Sequence, residues 1–148
     1  MADPIDSAEP LQPLDGHLGY HLRRATAAMQ ADLARRVSVY GITIVEMSAL
    51  LVIEANPAVT QSQIGRLLGI KTANMAPMTA GLVDRSWVKR DEAVGRSVGL
   101  SLTAQGATLA KSLHACIKAN EKQLLARIPA SQRQQIITLV RRIWSADR

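Results

Sequence analysis

Val59-Thr60-Gln61-Ser62-Gln63-Ile64-Gly65-Arg66-Leu67-Leu68-Gly69-Ile70-Lys71-Thr72-Ala73-Asn74-Met75-Ala76-Pro77-Met78 is the stretch from which the fold is read. Thr60 is a helix cap, and Ile64, Leu67 and Leu68 form the inner face of a short helix. Gly69 makes a turn, and Lys71-Thr72 open a second helix running to about Arg85. Two short helices joined so tightly are a helix-turn-helix. In the second, Met75, Met78 and Leu82 recur at helical spacing and point inward. Thr72, Ala73, Asn74, Ala76 and Pro77 are left to point outward near its amino-terminal end. Pro77 lies just past the first turn, where it forfeits a hydrogen bond and bends the axis.

Downstream, the hydrophobic period changes from 3.6 to 2. Trp87-Val88-Lys89-Arg90 and Val98-Gly99-Leu100-Ser101-Leu102 read as strands of a β-hairpin wing, joined by a loop holding Asp91, Gly95 and Arg96. Thr103 then caps a long helix with Leu109, Leu113, Cys116, Ile117, Leu124 and Ile128 along one side, which Pro129 ends. Ser131 is expected to cap a last helix with the stripe Ile136, Leu139, Val140, Ile143 and Trp144.

Upstream, Thr43 caps a helix that Asn56-Pro57 stops, because the residue before proline is pushed out of helical geometry. Before that, Leu18, Leu22, Ala25, Met29, Leu33 and Val37 form the stripe of a helix from Leu14 to about Tyr40-Gly41. Pro4, Pro10 and Pro13, with acids between them, mark residues 1–13 as a loosely held tail. The expected layout is one compact domain: tail 1–13, amino-terminal dimerisation helix 14–41, winged helix-turn-helix 42–102, and carboxy-terminal dimerisation helices 103–148. The fold class is mainly α with a small β-hairpin wing. The flanking helices exceed what a wing domain of about 70 residues needs for its own core, so their stripes call for a second copy of the chain.

Charge narrows the partner. The 148 residues carry 18 Lys and Arg against 12 Asp and Glu, a formal charge of +6. Asp3, Asp6, Glu9 and Asp15 all fall in the first sixteen residues, which hold no base, so the folded part is more basic than the total indicates. Phe is absent and only two Trp and two Tyr are present, which argues against stacking single-strand binders and leaves duplex DNA open. The single cysteine rules out a disulfide framework or a multi-Cys zinc fold. Residues 1–16 lack a leader pattern and residues 42–53, the richest apolar run, are interrupted by Glu46. No membrane partner and a cytoplasmic location are therefore expected. The absence of a Gly-rich phosphate loop, a nucleophile elbow, paired catalytic carboxylates or a metal motif leaves no catalytic residue and no cofactor to name.

With these segments quoted, the chain resembles the MarR family of winged helix-turn-helix bacterial transcriptional regulators. The resemblance is carried by residues 59–70, by Leu82-Val83-Asp84-Arg85-Ser86-Trp87-Val88-Lys89-Arg90, and by Leu100-Ser101-Leu102-Thr103-Ala104-Gln105-Gly106. It implies a homodimer on a pseudo-palindromic operator, usually a repressor released by a small aromatic or anionic ligand. The family's wing usually carries Asp-x-Arg at its tip, where this chain has Val94-Gly95-Arg96. Either Asp91 or Glu92 substitutes for that clamp, or Arg96 is less ordered. Ser86 stands where the family commonly has glycine.

The residue chemistry divides the DNA contacts. Lys71 and Arg96 suit phosphate or groove contacts, Arg85, Lys89 and Arg90 the backbone, and Gln61 and Ser62 can donate to phosphate from a helix amino terminus. Asn74 can pair with adenine, and Thr72, Ala73 and Pro77 offer apolar atoms to the thymine methyl. No arginine occupies the outward first turn to grip guanine, so half-sites rich in A·T pairs are expected. His17, Tyr20, His21 and Arg24 are candidates to bind a carboxylate or phenolate in the pocket the resemblance implies between the dimerisation helices and the wing domain. They read equally as polar residues on a helix edge or across a dimer interface. His17 and His21 with His114 lack an acid or Cys at matching spacing, so no metal is expected. Cys116 reads as core packing, Trp87 as the wing's anchor and Trp144 as dimer-interface filling. The effector is expected to be an aromatic acid or its coenzyme A thioester. Two alternatives to a ligand-responsive repressor stand beside it: an effector-independent DNA-binding module acting through a protein partner, and a small enzyme.

Overall fold

A computed structural model describes residues 12–92 and 97–145. Its helices are α1 (Gln12–Asp15), α2 (Leu18–Ser38), α3 (Ile44–Ala55), α4 (Gln61–Leu68), α5 (Thr72–Asp84), α6 (Ala104–Leu125) and α7 (Arg133–Ser145). Three short strands, β1 (Val59–Thr60), β2 (Val88–Arg90) and β3 (Gly99–Leu102), form an antiparallel sheet in the order β1-β3-β2. Of the expected tail, residues 1–11 lie outside the described residues, as does Arg96 of the wing.

Local signals set most boundaries. Thr43 caps α3 in a reciprocal box with Glu46, and Thr60 caps α4 in another with Gln63, so each pair satisfies two otherwise orphaned donors. Thr60 also belongs to β1, a strand where the sequence predicts only a lead-in and a cap; Val59 pairs with Leu100 and Thr60 with Gly99. Gly99 permits that closeness, since a Cβ there would lie 2.8 Å from Ala58 O.

Four boundaries differ from expectation. The first helix is not continuous from Leu14, because Gly16 and an extended His17 separate α1 from α2. Residues 12 and 13 belong to α1 and not to a tail. α6 stops at Leu125, before Pro129, because the last turn tightens through Arg127 N to Leu124 O (3.2 Å) and Ile128 N to Leu125 O (3.0 Å). Ser131 does not cap the last helix, since it lies inside a 3-10 turn over Ala130–Gln132 that precedes α7.

The core lies between α3, α4, α5, α6 and the sheet, with Leu50, Ile53, Ile64, Met75, Leu82, Val88 and Leu113 fully buried. Leu33 and Val37, in the second half of α2, join it. The expected stripes outside that core are uncovered in a single chain: Leu18 is 62% exposed, Ile143 54% and Trp144 60%, and α7 has no buried residue. No helix among the described residues is long and apolar enough to cross a membrane.

Candidate nucleic-acid interface

The helix-turn-helix is built by close approach. Gly69 takes a left-handed φ of 66°, Ile70 N donates to Gly65 O at 2.9 Å, and a Cβ on Gly65 would stand 3.1 Å from Met75 Cγ. The inner face of α5 is Met75, Thr79 and Leu82, all buried. Periodicity does not predict Thr79 there. Its hydroxyl lies 3.0 Å from Gln61 Oε1 and 2.9 Å from Met75 O, so a hydrogen bond fixes the start of α4 to the middle of α5. Gln61, half-buried, is thereby engaged between the helices instead of standing free for phosphate.

The outer face is as read from the spacing: Thr72, Ala73, Asn74, Ala76 and Pro77 are all exposed. Pro77 lies inside α5 and leaves Ala73 O without the N–H it would otherwise receive. Lys71 is the N-cap, with no side-chain cap bond, so the first turn presents backbone N–H groups beside an ammonium, an arrangement suited to an anion. An open cleft of about 530 Å³ follows this edge, lined by Ser62, Arg66, Lys71 and Thr72 among others. Arg66 is an addition to the residues expected from the sequence; it lies four residues after Ser62 on the same polar face, and that spacing is the signal that could have found it.

The wing supplies a second basic edge. Lys89 and Arg90 are exposed on β2, an outer strand of the sheet, and have no ion pair among the described residues. Asp91, considered as a clamp for Arg96, is held at the wing's base: Ser101 Oγ donates to its Oδ2 at 2.6 Å and accepts from Ala58 N at 3.1 Å. The base joins α6 where the Trp87 carbonyl accepts from Thr103 N at 3.1 Å, and the half-buried Trp87 side chain packs against the core. Ser86 shows why glycine suits its position. Its φ is 58°, and Ser86 N to Val83 O (2.8 Å) with Trp87 N to Leu82 O (3.1 Å) closes α5 in a Schellman motif that wants a left-handed residue.

Arg85 departs from the expected backbone contact. It donates from Nε to Gly81 O (2.9 Å) and from Nη1 to Gly41 O (2.9 Å), pairs through Nη2 with Glu46 Oε1, and lies 4.3 Å over the Trp87 ring. Burial disfavours the Glu46 carboxylate, but the Thr43 backbone N–H, the Thr43 hydroxyl and Arg85 outweigh it and hold its carboxyl below the ordinary value.

The ligand candidates are only partly gathered. His21 donates from Nε2 to Asp15 O at 2.8 Å and meets Tyr20 edge to face at 5.5 Å; Arg23, not Arg24, lies over the Tyr20 ring. His17 occupies the N-cap position of α2 without a side-chain cap bond, and Arg24 is exposed. A cleft of about 620 Å³ does lie where α6 meets the wing's base, but Tyr40, Trp87, Gln105, Thr108, Leu109 and Ser112 line it. His114 pairs with Glu54 at 2.7 Å, and no group of three metal-ligating residues occurs among the described residues. Cys116 is half-buried with Sγ 3.7 Å from Arg36 O.

Comparison with known proteins agrees with this architecture. Residues 40–97 match the model of the MarR family. The HTH-type transcriptional repressor Rv2887 of Mycobacterium tuberculosis is 29% identical over 133 residues, covering 88% of this chain and 96% of the repressor. A crystal structure of that protein with salicylic acid superposes with a TM-score of 0.71 at 27% identity, covering 88% of this chain and 98% of the other. The transcriptional repressor CouR bound to a 23-mer DNA duplex superposes with a TM-score of 0.84 at 26% identity, covering 90% and 96%. From the helix-turn-helix, the wing, the long flanking helices and these likenesses together, the chain has the winged helix-turn-helix architecture of, and is similar to, transcriptional regulators of the MarR family.

Proposed function

We propose that two copies of the chain form a repressor that reads a pseudo-palindromic duplex and is released by a small aromatic or anionic ligand. The observation that carries the DNA reading is the exposed first half of α5: Thr72, Ala73, Asn74 and Pro77 project beside Lys71 while Met75, Thr79 and Leu82 lock the opposite face into the core. Asn74 reads adenine, and Thr72, Ala73 and Pro77 meet thymine methyls. Lys71, Ser62, Arg66, Lys89 and Arg90 bind phosphates, and Arg96 serves the groove from the wing. The uncovered stripes of α2 and α7 pair across the two-fold axis, with Trp144 in that interface, and set the two recognition helices about 34 Å apart.

The ligand half of the proposal draws on the Mycobacterium tuberculosis relative, whose structure holds salicylic acid. In one chain His17, Tyr20, His21 and Arg24 lie along the start of α2, outside the core, so their anion-binding role depends on the second copy closing over them. Release requires that the ligand prefer a dimer whose recognition helices are mis-spaced for DNA.

Selection of bound duplexes from a random pool tests the first half. The expected consensus has A·T-rich half-sites one helical turn apart, and a consensus dominated by central G·C contacts overturns the assignment of Asn74 and its neighbours. Titrating the complex with salicylate, other aromatic acids and their coenzyme A thioesters tests the second. If none releases the DNA, the reading reverts to an effector-independent DNA-binding module.

A further inference from the structure

Arg85 has more work inside the molecule than a capping residue needs. Its guanidinium touches four separate segments: the last turn of α5 at Gly81, the α2–α3 elbow at Gly41, the first turn of α3 at Glu46, and the start of the wing at Trp87. Glu46 divides its two oxygens. Oε2 accepts from Thr43 N and Thr43 Oγ1, both at 2.9 Å, closing the cap of α3, while Oε1 holds Arg85. The elbow itself is tightly defined, with Gly41 at a left-handed φ of 67° and Gly41 N bonded to Ser38 O at 2.9 Å. α2, the helix whose first half lies uncovered, enters the winged unit through that elbow.

We infer that Arg85 is a positioning residue that fixes the recognition helix against the α2–α3 elbow and carries movement of α2 to the DNA-reading face. The inference rests on the DNA-binding function proposed above and goes beyond it by naming the residue that ties α5 to the dimerisation helix. The chemistry favours arginine. A planar guanidinium reaches a carboxylate and two carbonyls in different directions while stacking on an indole, and an ammonium cannot hold all of these at once. The Glu46 charge beside it also cancels the charge Arg85 would offer a phosphate, so it contributes little to counterion release.

The test uses the duplex that the full-length wild-type chain selects from a random pool, together with the same duplex carrying one base pair inserted or removed between half-sites. Affinity is measured by fluorescence anisotropy over a range of salt for wild type, Arg85→Ala, Arg85→Lys, Glu46→Gln and Lys71→Ala. Arg85→Ala is expected to weaken binding about 5- to 30-fold, to leave the salt slope unchanged, and to flatten the preference for the natural spacing. Arg85→Lys should behave like Arg85→Ala, and Glu46→Gln should flatten the spacing preference in the same direction. Lys71→Ala should instead lower the salt slope by about 0.9 for each phosphate it no longer neutralises and keep the spacing preference. A salt slope lowered in Arg85→Ala makes Arg85 a phosphate ligand and overturns the inference. So does an affinity loss equal at every spacing, or no loss at all. Should Arg85→Ala fail to fold, Arg85→Lys and Glu46→Gln carry the same two readouts. A wild-type chain that selects no duplex overturns the proposed function itself, before any variant is compared.

Discussion

Replacing Gly106 by alanine puts the docking of the wing on α6 to a direct test. Gly106 lies in the first turn of α6, where its N–H donates to Thr103 Oγ1 at 3.0 Å, and a Cβ there would stand 1.9 Å from Trp87 O. Relief requires the carbonyl to retreat by roughly an ångström, since carbon and oxygen atoms at van der Waals separation are more than about 3 Å apart. That same carbonyl accepts from Thr103 N at 3.1 Å, so retreat breaks a bond that joins the wing to the helix cap. The broken hydrogen bond costs about 1 kcal/mol and the forced backbone shift about 1 to 3 kcal/mol. Alanine's better helix propensity returns up to about 1 kcal/mol, leaving a net loss of about 2 kcal/mol. For a chain of this length each kcal/mol moves Tm by about 2 to 4 °C, so a fall of about 4 to 8 °C is expected. Gly19→Ala is the control: Gly19 lies inside α2 with nothing within 4 Å of its built Cβ. Thermal melts of both variants, at equal protomer concentration because the proposed dimerisation would couple to stability, should therefore move in opposite directions. A Gly106→Ala melt at or above wild type would refute the claim that Trp87 O and α6 meet without room for a methyl.

Ser86→Gly should raise stability by about 0.5 to 1 kcal/mol, the relief of a left-handed serine less the extra chain entropy of glycine; urea unfolding measures it, and a lower midpoint contradicts the Schellman reading. Asn74→Ala should cost about 1 to 3 kcal/mol of binding on an A·T half-site and relax the base preference at one position, with an unchanged selected consensus removing Asn74 from base reading. Glu46 makes stability fall in acid. Its folded carboxyl titrates below the unfolded value of about 4.3, so its contribution is complete above that value and is lost as the pH drops through the folded one. Urea midpoints between about pH 3 and 6 should then converge for wild type and Glu46→Gln on the acid side, and a constant gap would contradict the ion pair.

Signals contained within one turn of chain are legible in the sequence. Thr43, Thr60 and Thr103 each cap the helix that their positions predict, because a hydroxyl accepting an N–H two or three residues on needs no distant partner. The outward set on α5 is legible for the same reason: helical spacing alone separates Thr72, Ala73 and Asn74 from Met75. What periodicity does not convey is pairing between distant segments. β1 is two residues long and exists only because β3, about forty residues later, lies alongside it. Thr79 has the chemistry of a surface residue, but Gln61 stands opposite it; Arg85 has that of a phosphate ligand, but Glu46 and Gly41 lie within its reach. A long basic side chain covers several ångströms in any direction, so its address in the sequence says less about its target than the address of a threonine does.

The basic excess is therefore sorted by neighbours. Arg35 and Arg36 both bond the Asp32 carboxylate, at 2.9 and 2.7 Å, and the Arg36 hydrogen bond leads the effects that hold that carboxyl below its ordinary value. Arg36 also reaches Gln123 at 2.8 Å, so these two bases bind α2 to itself and to α6. Arg85 is matched by Glu46. Lys71, Arg66, Lys89 and Arg90, on the helix-turn-helix or the wing, have no ion pair among the described residues, and neither do Arg23 and Arg24 on α2, the lysines of α6 or the arginines of α7. An unpaired cation gains more from a phosphate than a paired one, because the paired one must first give up its carboxylate. The net charge of +6 would favour any polyanion; what sets Lys71, Arg66, Lys89 and Arg90 apart is their position around the exposed first half of α5 and on the wing. In the function proposed above, those four charges and the base-reading surface fall on one face, as duplex recognition requires.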